Sequence, residues 1–149
     1  MADLDKATLL ITGATDGLGR RTPATCLLRE PLYRLLHGRD EKRAETTVRE
    51  IRENTNNEKL RYYLADLSSL DEVRQLAEEV RADYDRLVIL INNARVFVRE
   101  RAISRDGHEL TFAVNYLAPF LLTHLLVPLL RCSAPARATT TSLRRAKAR

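Results

Sequence analysis

Residues Thr12-Gly13-Ala14-Thr15-Asp16-Gly17-Leu18-Gly19 decide the fold. They follow an apolar run, Thr8-Leu9-Leu10-Ile11, that reads as a short buried strand, and they precede a segment able to open a helix. A strand, a glycine-rich turn and a helix N-terminus together make a phosphate site. Glycines let the backbone turn sharply and approach a ligand, while free N–H groups and the helix dipole favour an anion. The spacing is Gly-x-x-x-Gly-x-Gly rather than the commoner Gly-x-Gly-x-x-Gly. Glycine-rich turns also serve purely as turns, so the meaning of this one depends on its surroundings.

Working outward, strand-like runs alternate with helical patterns, the signature of βαβ units and a mostly parallel sheet. After the strand at about 8–12, a helix fits about 17–29, although Pro23 and Pro31 weaken it. A second strand fits Tyr33 to His37, and Asp40 can cap a helix whose apolar face includes Ala44, Val48 and Ile51. Leu60 to Leu64 reads as a third strand. Ser69 and Glu72 have capping-box spacing ahead of the stripe Val73, Leu76, Ala77 and Val80. Leu87-Val88-Ile89-Leu90-Ile91 reads as a continuous buried strand, and a long helix fits about 107–130. The expectation is an α/β, Rossmann-type doubly wound parallel sheet whose first four strands run in the order 3-2-1-4.

With 149 residues, 44% hydrophobic and 30% charged, the chain is expected to form one soluble domain with a real core. Residues 131–149 carry six basic side chains and no acid, so the net charge of +5 leaves −1 on the rest. The basicity therefore belongs to a tail, expected to be a solvated and disordered end from 138 to 149, and not to a nucleic-acid surface. Cys26 and Cys132 give no disulfide framework, and they form no Cys-His zinc spacing with His37, His108 and His124, so no metal is expected. The N-terminus lacks the pattern of a signal peptide, and the apolar run Tyr116–Leu130 reads as a core helix too short for a bilayer. A cytoplasmic protein without a membrane span is the expectation.

Four separated landmarks fall in the order of one family. The glycine turn at 12–19, Asp66-Leu67, Asn92-Asn93-Ala94, and the stretch Asp106-Gly107-His108-Glu109 through Val114-Asn115-Tyr116-Leu117-Ala118-Pro119-Phe120 resemble the short-chain dehydrogenase/reductases. The retinol-dehydrogenase-like members are the most similar, and the resemblance covers roughly residues 7–137 of a Rossmann domain assigned to 1–137. It implies cofactor contacts from Gly13, Thr15, Asp16, Gly17, Leu18, Gly19, Arg39, Asp66, Leu67, Asn93 and Ala94. Arg39 stands after the second strand, where an acid would bind a ribose 2′-hydroxyl and an arginine would accommodate a 2′-phosphate. This favours NADP over NAD, although Asp40 offers a carboxylate one position on.

The resemblance also makes Asn115 the catalytic asparagine, whose main chain holds a water in a proton relay. Pro119, four residues later, has no N–H to donate to the Asn115 carbonyl, which suits that task. Members of this family further carry a serine after the fifth strand and then Tyr-x-x-x-Lys. Here no tyrosine follows Tyr116, and Lys147 is the only later lysine. Ser142 falls within a residue of the expected serine, but its surroundings do not match. Arg95 stands where the family has glycine, either obstructing the cofactor or swinging out to solvent. The expected activity is an NADP(H)-dependent oxidoreductase acting on a carbonyl or secondary alcohol, in a partial chain whose pattern breaks off near Ala138 as a truncation or frame shift would leave it. The alternative is an inactive nucleotide-binding or interaction remnant, self-associating through apolar surface on the long helix.

Overall fold

A computed structural model describes residues 8–15 and 33–141. The helix expected at about 17–29 lies outside the described residues, as do Asp16, Gly17, Leu18, Gly19 and Ser142. Five strands, β1 (Thr8–Ile11), β2 (Tyr33–Gly38), β3 (Leu60–Leu64), β4 (Ile89–Asn92) and β5 (Arg137–Thr140), make one sheet in the order β3-β2-β1-β4-β5. Every pairing is parallel. The order reverses between β1 and β4, the switch point at which doubly wound sheets open a crevice at their carboxyl ends.

Period-two alternation explains how the sheet is covered on both faces. Leu10, Leu35 and Leu90, aligned in register, join Val73, Leu76, Val80, Val114, Leu122 and Leu126 in one core. Leu9, Ile11 and Leu36 point the other way and pack with Val48 and Ile51. Helix α1 (Glu41–Thr55) covers that second face, and α2 (Leu70–Asp83) and α3 (Leu110–Cys132) cover the first. Each fully buried leucine contributes about 2 kcal/mol by leaving water, so the strands are fixed chiefly by their side chains. Asp40 accepts from the Arg43 N–H at 2.9 Å and Ser69 from that of Glu72, so both expected caps start their helices.

Two features differ from the sequence expectation. The segment from Arg137 onward was expected to lack a strand, with 138–149 a basic tail; instead residues 137–140 pair with β4, so the proposed boundary at 137/138 falls inside β5. Arg137 donates its N–H to the Val88 carbonyl at 2.8 Å and Thr141 to that of Asn92 at 3.1 Å. Every residue of β5 is exposed, so backbone pairing and β-branched threonines form it without any apolar pattern to announce it. Secondly, α3 spans 23 residues, and by length and composition alone it could cross a bilayer, contrary to the reading of 116–130 as too short. Ala113, Val114, Ala118, Leu122, Leu126 and Leu129 are nevertheless buried in the protein core. Its first turns include a π-helical segment, Ala113–Leu117, in which Ala118 donates to the Ala113 carbonyl.

Candidate functional site

The glycine turn leaves β1 at the switch point and is tied to both neighbouring strands. Thr12, itself buried, donates its N–H to the Ile91 carbonyl at 3.0 Å. Its hydroxyl oxygen accepts from the N–H groups of both Asn93 and Ala94, each at 3.0 Å. The Asn93 amide then donates to the Thr12 and Gly13 carbonyls, both at 3.2 Å. Gly13 has φ 63°, and a Cβ there would lie 2.6 Å from Ala94 Cα, so close packing as well as turn geometry requires glycine.

On the other side the tie is His37. Its Nδ1 accepts from the Gly13 N–H at 3.2 Å and its Nε2 lies 3.0 Å from the Ala65 carbonyl. That fixes the tautomer: Nε2 carries the proton and donates to Ala65. Burial is the main cause that lowers the imidazole from 6.5 to about 4, assisted by the nearby Arg39 charge and opposed by the Ala65 bond and Asp66. A neutral His37 thus joins the ends of β1, β2 and β3. The next residue, Gly38, passes so near Thr15 that a Cβ would meet Thr15 Cγ2 at 2.5 Å.

These strand ends border a cleft of about 950 Å³. Gly13, Thr15, Arg39, Asp66, Leu67, Asn93 and Ala94 all line it, which brings together every described residue singled out as a cofactor contact. Arg39 is exposed at the rim, whereas the Asp40 carboxylate is engaged as the α1 cap. Asp66 Oδ1 accepts from the Ser68 N–H at 2.9 Å. Desolvation raises the Asp66 carboxyl, but Ser68 together with Arg39 and Arg105 outweighs it, and the group stays below the usual carboxylate range. Glu72 receives the Asp66 N–H on one oxygen and pairs with Arg105 on the other, each at 2.6 Å, so α2 braces this wall.

Asn115 does not line the cleft. Its Oδ1 accepts from the Val96 N–H and its Nδ2 donates to the Val96 carbonyl, both at 3.0 Å, so the side chain clamps a residue that does line it. The π-helical turn around Asn115 and the missing N–H of Pro119 set the asparagine main chain apart from ordinary helix. Thr12 and His37 were not foreseen as parts of the site; Thr12 was visible only as the residue opening the turn, and His37 as a loop-proximal histidine. Thr141, just beyond β5, also lines the cleft. Among the described residues no His, Cys, Asp and Glu group could hold a metal.

A glycine turn at the switch point, exposed arginine after β2 and an acid after β3 suit an anionic nucleotide, and the cleft volume suits one of dinucleotide size. A family model described as short chain dehydrogenase matches residues 7–142. The chain belongs to the short-chain dehydrogenase family. Retinol dehydrogenase 13 of Mus musculus is 38% identical over 136 residues, covering 91% of this chain and 40% of that protein. Polyprenol dehydrogenase of Homo sapiens is 37% identical over 122 residues, covering 82% and 37%. The chain therefore spans about two fifths of the length of these curated relatives. Among solved structures, a metagenomic short-chain oxidoreductase in complex with NADP matches with TM-score 0.80 at 23% identity, covering 97% of this chain and 65% of that one. A short-chain dehydrogenase from Escherichia coli CFT073 complexed with NADPH matches with TM-score 0.76 at 29% identity, covering 94% and 60%. The first of these bears on fold alone.

Proposed function

We propose that this chain is the cofactor-binding part of an NADP(H)-dependent short-chain oxidoreductase acting on a carbonyl or secondary alcohol. The observation that carries the reading is the cleft itself, where Arg39 is exposed at the rim and the competing Asp40 carboxylate is committed to capping α1. An arginine in this position accommodates a 2′-phosphate, whereas a carboxylate would repel it. Gly13 and Thr15 would lie along the pyrophosphate, Asp66 and Leu67 beside the adenine, and Asn93 and Ala94 beside the second ribose; the family resemblance adds Asp16, Gly17, Leu18 and Gly19, outside the described residues, as further contacts. The bound nicotinamide would supply or accept a hydride.

Proton transfer is a separate matter. The sequence holds no Tyr-x-x-x-Lys after Asn115, and Ser142 is a poor substitute for the missing serine. Asn115, with Val96 held by its side chain, keeps its main chain for positioning a water. These residues alone would bind cofactor with little or no turnover, which also leaves room for the second reading, an inactive nucleotide-binding remnant. The exposed Phe112, Tyr116 and Phe120 on α3 offer a self-association face in either case. The test measures NADPH binding and NADPH-dependent reduction of small aldehydes and ketones side by side. Binding without turnover is expected. Turnover that is abolished by Asn115→Ala would overturn the inactivity, and the absence of any nucleotide binding would overturn the function.

A further inference from the structure

A dinucleotide in a doubly wound sheet lays its pyrophosphate at the glycine turn after β1 and its adenosine ribose beside the residues after β2. Its second nucleoside then falls on the other side of the turn, toward the residues after β4. The turn packs directly against those residues, since a Cβ on Gly13 would lie 2.6 Å from Ala94 Cα. Arg95 comes next, its Cα about 3.8 Å from that of Ala94, a gap shorter than its own side chain. It borders the same open cleft as Gly13 and Thr15.

The backbone fixes Arg95 in that place. Ala94 donates its N–H to the Thr12 hydroxyl, the Asn93 amide donates to the Gly13 carbonyl, and Val96 is held through both its N–H and its carbonyl by Asn115. The charge, by contrast, is left without a counter-ion. Arg105, another arginine of the cleft, pairs with Glu72 at 2.6 Å, and Arg39 lies near enough to Asp66 to depress that carboxyl. Among the described residues no carboxylate pairs with Arg95. Its Nε is buried and has no hydrogen-bond partner, while the residue as a whole is partly exposed in the cleft. A cation that is partly withdrawn from water and unpaired attracts an anion more strongly than one in open solvent.

We propose that Arg95 is a binding residue for the cofactor pyrophosphate, adding a full positive charge to an anion site that the glycine turn otherwise builds from backbone N–H groups. The inference rests on the cofactor reading above and deepens it, because it assigns a task to the residue that departs from the family glycine. Of the two phosphates, the one on the nicotinamide side is the nearer, since Arg95 follows β4 and not β2. The pyrophosphate is common to NADPH and NADH, so Arg95 raises the affinity for both and leaves the choice between them to Arg39.

Calorimetric titration of the whole chain with NADPH, NADH and 2′,5′-ADP tests this, the last ligand lacking the phosphate on the nicotinamide side. Arg95→Gln is expected to weaken NADPH and NADH by a similar factor, about fivefold or more, and to leave 2′,5′-ADP within about twofold. Arg95→Lys, which keeps the charge, should retain most of the affinity. A readout that needs no variant is NADH binding to the unaltered chain, expected to weaken severalfold as potassium chloride rises from about 0.05 to 0.5 M, because a charge in an open cleft is screened. Unchanged or tighter NADPH binding in Arg95→Gln would overturn the proposal, as would a loss confined to NADPH, equal losses in the Gln and Lys variants, or NADH binding indifferent to salt. Failure of the unaltered chain to bind any of the three ligands would instead refute the underlying cofactor reading.

Discussion

Acidification should unlatch the glycine turn through one residue. His37 is buried and neutral, accepting from Gly13 at Nδ1 and donating to Ala65 from Nε2. Protonation turns Nδ1 into a second donor facing the Gly13 N–H. The imidazole is lowered from 6.5 to about 4, so the unfolded chain takes up this proton before the folded one does. Its stabilising effect is complete above pH 6.5 and is lost as the pH falls from 6.5 to about 4. At 1.36 kcal/mol per pH unit, this amounts to about 3 kcal/mol. Asp66 also has a depressed value, but its contribution is lost only below the ordinary carboxylate range, outside the window of His37. The assay is urea denaturation between pH 7.5 and 4.5 for the unaltered chain and for His37→Gln, which removes the titration. At pH 7.5 the variant should be less stable by about 1–2 kcal/mol, having lost part of the bridge. On acidification the gap should close and then reverse. Parallel stability curves for the two proteins would refute the assignment of His37 as a buried, neutral bridge.

Packing at the turn gives further tests. Gly38→Ala places a Cβ 2.5 Å from Thr15 Cγ2 and should destabilise by about 1–3 kcal/mol, read as a lowered midpoint in denaturant. Adding Thr15→Ala should recover much of the loss, and additive effects in the double variant would contradict the contact. Thr12→Val removes the acceptor shared by Asn93 and Ala94, so two N–H groups lose their partner. A loss of about 2–4 kcal/mol is expected from thermal or chemical unfolding, together with weaker cofactor binding.

The sheet was legible because its central strands are apolar on both faces. Leu9-Leu10-Ile11 and the run through Leu90 look buried because they are covered on either side, and the Asp40 and Ser69 caps mark their helices by local chemistry alone. The fifth strand was illegible for the converse reason. It is exposed and joined to β4 by backbone bonds, which any sequence without proline can make, so Arg137-Ala138-Thr139-Thr140 carries no periodic signal. Of the site, the described residues expected to contact the cofactor came together at the cleft while Asn115 lies behind Val96, and the links between them did not show. The pairing of Asn115 with Val96, the shared acceptor of Thr12 and the bridge of His37 span 19, 81 and 28 positions respectively, and no local pattern encodes such distances. Arg95 was visible as a departure from the family glycine, and in the structure it lines the cleft between two clamped neighbours, Ala94 and Val96.

The most direct test of the central claim, that this cleft is built for a 2′-phosphorylated nucleotide, is a paired titration of the chain with NADPH and NADH at one ionic strength. A charge-assisted contact between Arg39 and the 2′-phosphate is worth about 1.5–3 kcal/mol, so NADPH should bind at least about tenfold tighter, and Arg39→Ala should remove most of that preference. Equal affinities, or a preference for NADH, would contradict the account.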